Sequence, residues 1–151
     1  MSTSRATFIV NILNYTNGYI TFNGFPTSWA PDPVEHGGPP VINATVKNIS
    51  PTDNNPTAVQ LLGVSDCWTT QVDGETQGQA NFNMPDGSLL SIIWHVYYHT
   101  ETNNDVNYNS ISCPNYTVQY LQSDGSYSTT PYYGQSDVNT FTTTIKIIGA
   151  K

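Results

Sequence analysis

The sequence predicts an all-β protein, an antiparallel β-sandwich of about eight or nine short strands. Thr, Asn and Ser supply 20, 16 and 13 of the 151 residues and Tyr another 10, which favours strands and turns over helices. Short segments with alternating apolar side chains are separated by turn dipeptides such as Asn-Gly and Asp-Gly. No window keeps the period of an amphipathic helix. We therefore expect a single β-sandwich domain over residues 1–151.

The first half of the chain begins with a predicted hairpin. Phe8–Leu13 alternates and is rich in β-branched residues, and the Asn17-Gly18 dipeptide after it is a strong hairpin signal. This signal makes Tyr19–Phe22 the returning strand. A long proline-containing loop follows over residues 24–40, and loops of this length in compact domains are often functional. The next predicted strands are Val41–Lys47 and Val59–Val64.

The second half contains the clearest alternation. In Gln79–Met84 the pattern places Asn81 and Asn83 on the face opposite to the apolar side chains. The turn Asp86-Gly87 leads into Ser88–His99, which is apolar on both faces and is typical of a central strand. The remaining predicted strands are Ser110–Cys113, Tyr116–Gln122 and Thr140–Ile148, the last with Phe141, Thr143, Ile145 and Ile147 on one face.

The charge balance excludes several classes of partner. The net charge is −7, from 4 basic and 11 acidic residues. Nucleic acid and anionic lipid both need a cationic surface, so neither is an expected partner. No segment has the length of a membrane-spanning helix, and the first residues are too short and polar for a signal peptide. We expect a cytoplasmic protein, or one released without a signal peptide, that acts at a membrane or cell surface.

The two cysteines, Cys67 and Cys113, are compatible with a disulfide or with two thiols. Without a signal peptide, reduced thiols are favoured. Asn-X-Ser/Thr glycosylation sequences favour secretion instead, although a chain so rich in Asn and Thr produces them by chance. They begin at Asn14, Asn43, Asn48 and Asn115.

No motif points to an enzyme, a metal or a cofactor. The chain lacks a nucleophile elbow, a phosphate-binding loop and the HExxH and CxxC patterns. His95 and His99 are four residues apart on a predicted strand, roughly 13 Å, which is too far for one metal ion. Asp32, Glu35 and His36 share the proline-containing loop, but nothing in the sequence determines their geometry. The sequence therefore predicts a non-enzymatic protein without cofactor or metal.

Aromatic residues in the predicted loops are the residues that say most about function. Tyr and Trp combine an apolar ring with a polar tip, which suits wet recognition surfaces. Such rings stack on sugars, beside Asn or Asp side chains that bind hydroxyls, or lie at the headgroup level of a bilayer. An acidic protein would favour neutral or zwitterionic headgroups. The candidate ligand-binding residues are Trp29, Asp32, Trp68, Tyr108, Tyr132 and Tyr133.

The layout of the chain resembles the aegerolysin family, which are small acidic all-β proteins of fungi and bacteria. The segments that carry the resemblance are Phe8–Gly18, Trp29, Asp73–Phe82, Gly87–Tyr98 and Thr140–Ile148. The resemblance is one of spacing over most of the chain. Cys113-Pro114 is followed by Asn115, where fungal members carry Trp, so no individual lipid-contacting residue can be transferred.

The resemblance implies a β-sandwich that binds membrane lipid, in some members together with a larger pore-forming protein. We therefore predict a recognition protein of toxin or defence type that binds neutral membrane lipid or glycolipid through loop aromatics. The alternative is a soluble carbohydrate-binding lectin, which we expect to be a homo-oligomer because avidity compensates for weak sugar sites. A structural or interaction sandwich without a small ligand is the third hypothesis.

Overall fold

The computed structural model describes residues 5–26, 42–48, 58–66, 74–98, 108–132 and 140–150. The strands in these residues are β1 (Arg5–Tyr15), β2 (Ile20–Gly24), β3 (Thr45–Val46), β4 (Ala58–Asp66), β5 (Gly74–Asn83), β6 (Leu89–Tyr98), β7 (Tyr108–Ser112), β8 (Tyr116–Leu121), β9 (Tyr127–Ser128) and β10 (Thr140–Ala150). Sheet A has the order β4-β1-β10-β8-β9, and sheet B has the order β3-β2-β5-β6-β7. The predicted all-β sandwich is confirmed.

The core lies between the two sheets and follows the predicted alternation. Trp94 of sheet B stacks on Phe8 of sheet A, with ring centroids 5.5 Å apart, and Phe8 also contacts Phe141. The large inward side chains that are fully buried are Phe8, Ile12, Ile20, Phe82, Leu90, Ile92, Trp94, Phe141, Ile145 and Ile147. Burying this apolar surface provides the main driving force for association of the sheets.

One strand pair departs from the predicted antiparallel arrangement. β1 and β10 pair in parallel at the centre of sheet A, with Phe8 opposite Phe141 and Ile12 opposite Ile145. The other strand pairs that the structure describes are antiparallel. A parallel neighbour needs a crossover connection, and here the crossover is nearly the whole chain. Local sequence signals therefore could not predict it.

The predicted hairpin at Asn17-Gly18 is wrong, because β1 and β2 belong to different sheets. The primed turns of two-residue hairpins need a positive φ angle, and neither Asn17 nor Gly18 has one. A Cβ atom at Gly18 would lie 3.0 Å from Cβ of Pro85. The glycine is thus explained by close approach of two chain segments, and the dipeptide crosses from one sheet to the other.

The side chain of Asn14 stabilises the segment between β1 and β2, where the chain passes from sheet A to sheet B. Its side chain is fully buried, and its Nδ2 donates to the carbonyl oxygens of Gly18 at 2.9 Å and Val46 at 3.0 Å. Its Oδ1 accepts from the amide and the hydroxyl of Thr16. Asn14 and Thr16 are the two defining positions of a glycosylation sequence, and here both serve the fold. A buried Asn14 side chain cannot carry a glycan in the folded protein.

Two further buried amides link the sheets at their open sides. Gln60 of β4 pairs with the backbone of Asn43, accepting from its N–H at 2.8 Å and donating to its carbonyl at 3.1 Å. On the opposite side Asn109 of β7 donates to the carbonyl of Tyr132 and to Oγ1 of Thr143 on β10. Gln60 and Asn109 are buried. Gln60 thus joins β4 to the segment that precedes β3, and Asn109 joins β7 to β10 of the other sheet.

Strand bounds differ from prediction at two edges. The predicted strand Val41–Lys47 is reduced to β3, Thr45–Val46, and Val41 lies outside the described residues. Between the predicted strands Tyr116–Gln122 and Thr140–Ile148 the structure adds the two-residue strand β9. Cys113 is buried, whereas Cys67 lies outside the described residues.

Two tight turns have the same structure. In the β5–β6 turn the amide and the hydroxyl of Ser88 donate to Oδ1 of Asp86, at 2.9 and 2.6 Å. In the β8–β9 turn Ser126 and Asp124 repeat these contacts with the same distances. The intervening glycines have φ angles of 87° and 88°, which explains the Asp-Gly signal. The predicted turn at Asp86-Gly87 is confirmed, and Asp124-Gly125 forms a turn of the same kind.

We expect Asn14→Ala to destabilise the fold by about 2 kcal/mol or more, since it leaves buried hydrogen-bonding groups unpaired. Thermal unfolding followed by circular dichroism should report a clear drop in Tm. Asn17→Ala is the matched control, because Asn17 is exposed in the same turn. An equal drop in Tm for both variants would contradict this role of Asn14.

The Asp86 turn predicts a pH dependence. Hydrogen bonds from the hydroxyl and amide of Ser88, and then from Asn115, hold the pKa of Asp86 below its ordinary value of 3.8. The ionised carboxylate therefore stabilises the fold above pH 3.8, and this contribution is lost as the pH falls through the lowered pKa. In a carboxyl ¹³C NMR titration, Ser88→Ala should raise the pKa of Asp86 and leave Asp124 unchanged. An unchanged Asp86 pKa would refute the assignment.

Candidate functional site

The outer face of sheet B carries a group of uncharged polar side chains. Because side chains alternate along a strand, burial of Ala80, Phe82 and Met84 places their neighbours on the outer face. The same alternation on β6 and β7 places Ser91 and Ser112 in register with Asn81, and it places Ile93 between Gln79 and Ser110. We call this surface the amide face, and its members are Asn23, Gln79, Asn81, Asn83, Ser91, Ser110 and Ser112.

Hydrogen bonds between neighbouring strands order the amide face. Oδ1 of Asn81 accepts from Nε2 of Gln79 at 3.1 Å and from the hydroxyl of Ser91 at 2.9 Å. Nδ2 of Asn23 donates to Oδ1 of Asn83 at 3.0 Å. These side chains are therefore held in defined orientations on strands rather than on loops. Such preorganisation reduces the entropy cost of binding a ligand.

The amide face keeps hydrogen-bonding groups for a ligand. Among the described residues, Nδ2 of Asn81, Oε1 of Gln79, Nδ2 of Asn83 and Oδ1 of Asn23 make no hydrogen bond. The face thus offers both donors and acceptors. No Asp, Glu, Lys or Arg is present among the side chains described on this face. Its chemistry suits a ligand that is polar and neutral.

Tyr108 borders the amide face at one end of β7. Its side chain is 45% exposed, and its backbone pairs with that of His95 on β6. An exposed tyrosine ring next to hydrogen-bonding side chains can stack on the apolar face of a ligand ring. Tyr108 is therefore the one predicted site residue that the described surface places beside the amide face.

The other predicted site residues are distributed differently. The ring of Tyr132 packs against the core, with its centroid 6.4 Å from that of Phe141. It contributes to the fold, and its role in ligand binding stays a prediction. Four predicted residues lie outside the described residues: Trp29, Asp32, Trp68 and Tyr133.

The directions of the described strands show at which end of the sandwich the strands flanking these residues begin or end. β1 leads through residues 16–19 into β2, so the carboxyl end of β2 and the amino end of β1 lie at the same end of the sandwich. Register then places the carboxyl ends of β4 and β6 and the amino ends of β5, β7 and β10 there as well. We call this the loop end. The segments 27–41, 67–73 and 133–139 all connect to strands at the loop end.

A separate open groove lies between the edges of β7 and β8. Its volume is about 360 Å³, and it is lined mainly by Ile111, Cys113, Tyr116, Val118, Tyr120 and Pro131. It contains no predicted site residue and no member of the amide face. β9, which pairs with β8 at this edge of sheet A, is only two residues long.

Sequence reasoning located part of the amide face without assigning it a function. The alternation in β5 correctly placed Asn81 and Asn83 outward. It could not identify the partners on other strands, Asn23 and Ser91, because these contacts depend on register. The signal that could have found the site is the occurrence of three outward amides in one strand.

The described residues show neither a candidate metal cluster nor a candidate membrane-spanning helix. No cluster of three His, Cys, Asp or Glu residues that could hold a metal ion occurs in the part of the chain that the structure describes. His99, Asp32, Glu35 and His36 lie outside that part. The described residues form no helix with the length and apolar character needed to cross a membrane.

Comparisons with protein-family models, curated proteins and solved structures find no match to this chain. Membership of the aegerolysin family stays a prediction from sequence layout. Function has to be inferred from the chemistry of the described residues.

The two described tyrosines should respond differently to substitution. We expect Tyr132→Ala to lower Tm by several degrees, since it removes a ring that packs on the core. Tyr108→Ala should change Tm less, because 45% of the residue is exposed and it is not part of the core cluster. Thermal unfolding of both variants checks this. A larger loss for Tyr108→Ala would mean that Tyr108 is a structural residue and not a surface anchor.

Proposed function

We propose that this protein is a non-enzymatic recognition module that binds neutral glycans, free or carried on lipid, through the amide face. The observation that supports the proposal is the ordered set of amides and hydroxyls with unused donors and acceptors. Sugar hydroxyls are both donors and acceptors, and a row of amides complements them. This chemistry favours the carbohydrate alternative of the sequence prediction over the lipid one.

Charge supports the restriction to neutral glycans. The protein carries a net charge of −7, so anionic sugars would meet unfavourable long-range repulsion. The amide face contributes no described cation that could offset it. Binding would rely on neutral hydrogen bonds and on stacking against Tyr108. Such sites are weak individually, and a homo-oligomer presenting several faces would gain avidity.

A second candidate function is binding of neutral membrane lipid at the loop end. It is favoured by the exposed ring of Tyr108 and by the common location of the strand ends that flank Trp29, Trp68 and Tyr133. An exposed aromatic ring such as that of Tyr108 would suit the headgroup region of a bilayer. With this function, the protein would have the predicted toxin or defence role and would act together with a larger pore-forming partner.

Titration calorimetry against a panel of neutral and sialylated oligosaccharides tests the first proposal. We expect binding to a neutral oligosaccharide and at least a tenfold loss for Asn81→Ala, about 1.4 kcal/mol. The matched control is Asn11→Ala, which removes a similar amide–hydroxyl contact on the outer face of sheet A, between Asn11 and Thr144 at 3.0 Å. The control should bind like the unchanged protein.

Two outcomes would contradict the proposal. One is equal loss of binding in both variants, which would point to general destabilisation. The other is sedimentation with sphingolipid–sterol vesicles that lack sugar, unaffected by an excess of neutral oligosaccharide. The second outcome would support membrane-lipid binding instead.

A further inference from the structure

The amide face contains two similar pairs of side chains. In one pair Nε2 of Gln79 donates to Oδ1 of Asn81, and in the other Nδ2 of Asn23 donates to Oδ1 of Asn83. Each pair therefore keeps one amide N–H₂ group and one amide oxygen without a partner among the described residues. Asn81 and Asn83 are two residues apart on one strand, about 7 Å. The face thus presents the same donor–acceptor combination twice.

The orientation of Asn81 is determined by its contacts. Its Oδ1 accepts two hydrogen bonds, from Gln79 and from Ser91. With Gln79 placed as it is, exchange of the oxygen and nitrogen positions of Asn81 would bring two N–H₂ groups together. Nδ2 of Asn81 is therefore the available donor, and Oε1 of Gln79 is the available acceptor.

An acetamido group complements this arrangement. Its carbonyl oxygen accepts and its N–H donates, from two separate atoms, whereas a hydroxyl group does both from one atom. Elsewhere in the protein a side-chain amide binds a donor and an acceptor at the same time. Gln60 accepts from the N–H of Asn43 at 2.8 Å and donates to its carbonyl at 3.1 Å, and these two groups belong to adjacent peptide units.

We propose that the amide face binds chains of N-acetylated neutral sugars, with acetamido groups paired to Gln79–Asn81 and to Asn23–Asn83. This inference rests on the proposed glycan-binding function and specifies its ligand class. A repeated pair on an open sheet favours a chain over a single sugar, because one ring lying on an open sheet buries little surface. The exposed ring of Tyr108 provides a stacking surface beside the chain.

Chito-oligosaccharides and cello-oligosaccharides of one to six units provide a matched test by titration calorimetry. Both have the same linkage and are neutral, and they differ in the acetamido or hydroxyl group on each ring. We expect the chito series to bind at least tenfold more tightly at equal length. Its affinity should rise from one to about three or four units and then level off.

Variants connect this preference to the proposed pairs. Gln79→Met keeps the size of the side chain and removes the acceptor, and it should reduce the chito-to-cello ratio at least fivefold. Asn11→Ala on sheet A should leave the ratio unchanged. Circular dichroism of each variant excludes loss of folding as the cause.

The remaining outcomes separate the two proposals. Equal affinity for the two series, binding of another neutral glycan only, or an unchanged ratio in Gln79→Met would overturn the N-acetyl inference and leave glycan recognition standing. Absence of binding to every neutral oligosaccharide tested would overturn the proposed function itself.

Discussion

The pairing of β1 with β10 is the constraint on which the rest of the structure depends. Among the described strands of sheet A this pair is the one link between the two halves, since β4 pairs with β1, and β8 and β9 join through β10. The pair brings Phe8 beside Phe141, and Phe8 stacks on Trp94 of sheet B. Its partners are more than a hundred residues apart, so it can form only when nearly the whole chain is available, which predicts slow folding.

Buried amides then determine how the two sheets are joined. Asn14, Gln60 and Asn109 each connect one sheet to a strand, or to the segment preceding a strand, of the other. Buried amides are costly unless paired, so these contacts select one relative position of the sheets. The outer amide face depends on this framework only indirectly. Its side chains are ordered by the register of β2, β5 and β6, which the core fixes from the other side.

The sequence supported the fold class well and the topology poorly. Alternation in β5 and β10 predicted the buried face correctly, because a half-buried strand imposes a period of two. The Asn17-Gly18 dipeptide gave a wrong hairpin prediction. Its glycine is explained by the close approach of Pro85 and not by a hairpin turn. The parallel pair and the partners of Asn81 involve contacts distant in sequence. Of the two predicted site residues that the structure describes, Tyr108 lies beside the proposed site and Tyr132 packs against the core.

The central claim, that the amide face is a ligand-binding surface, is tested most directly by ¹H–¹⁵N NMR during titration with a chito-oligosaccharide. We predict that the side-chain amide signals of Asn81, Gln79 and Asn83 shift together with backbone signals of β5, β6 and β7. The side-chain signal of Asn11 on sheet A should stay in place. Shifts confined to the loop end, or to the groove beside Tyr116, would contradict this assignment.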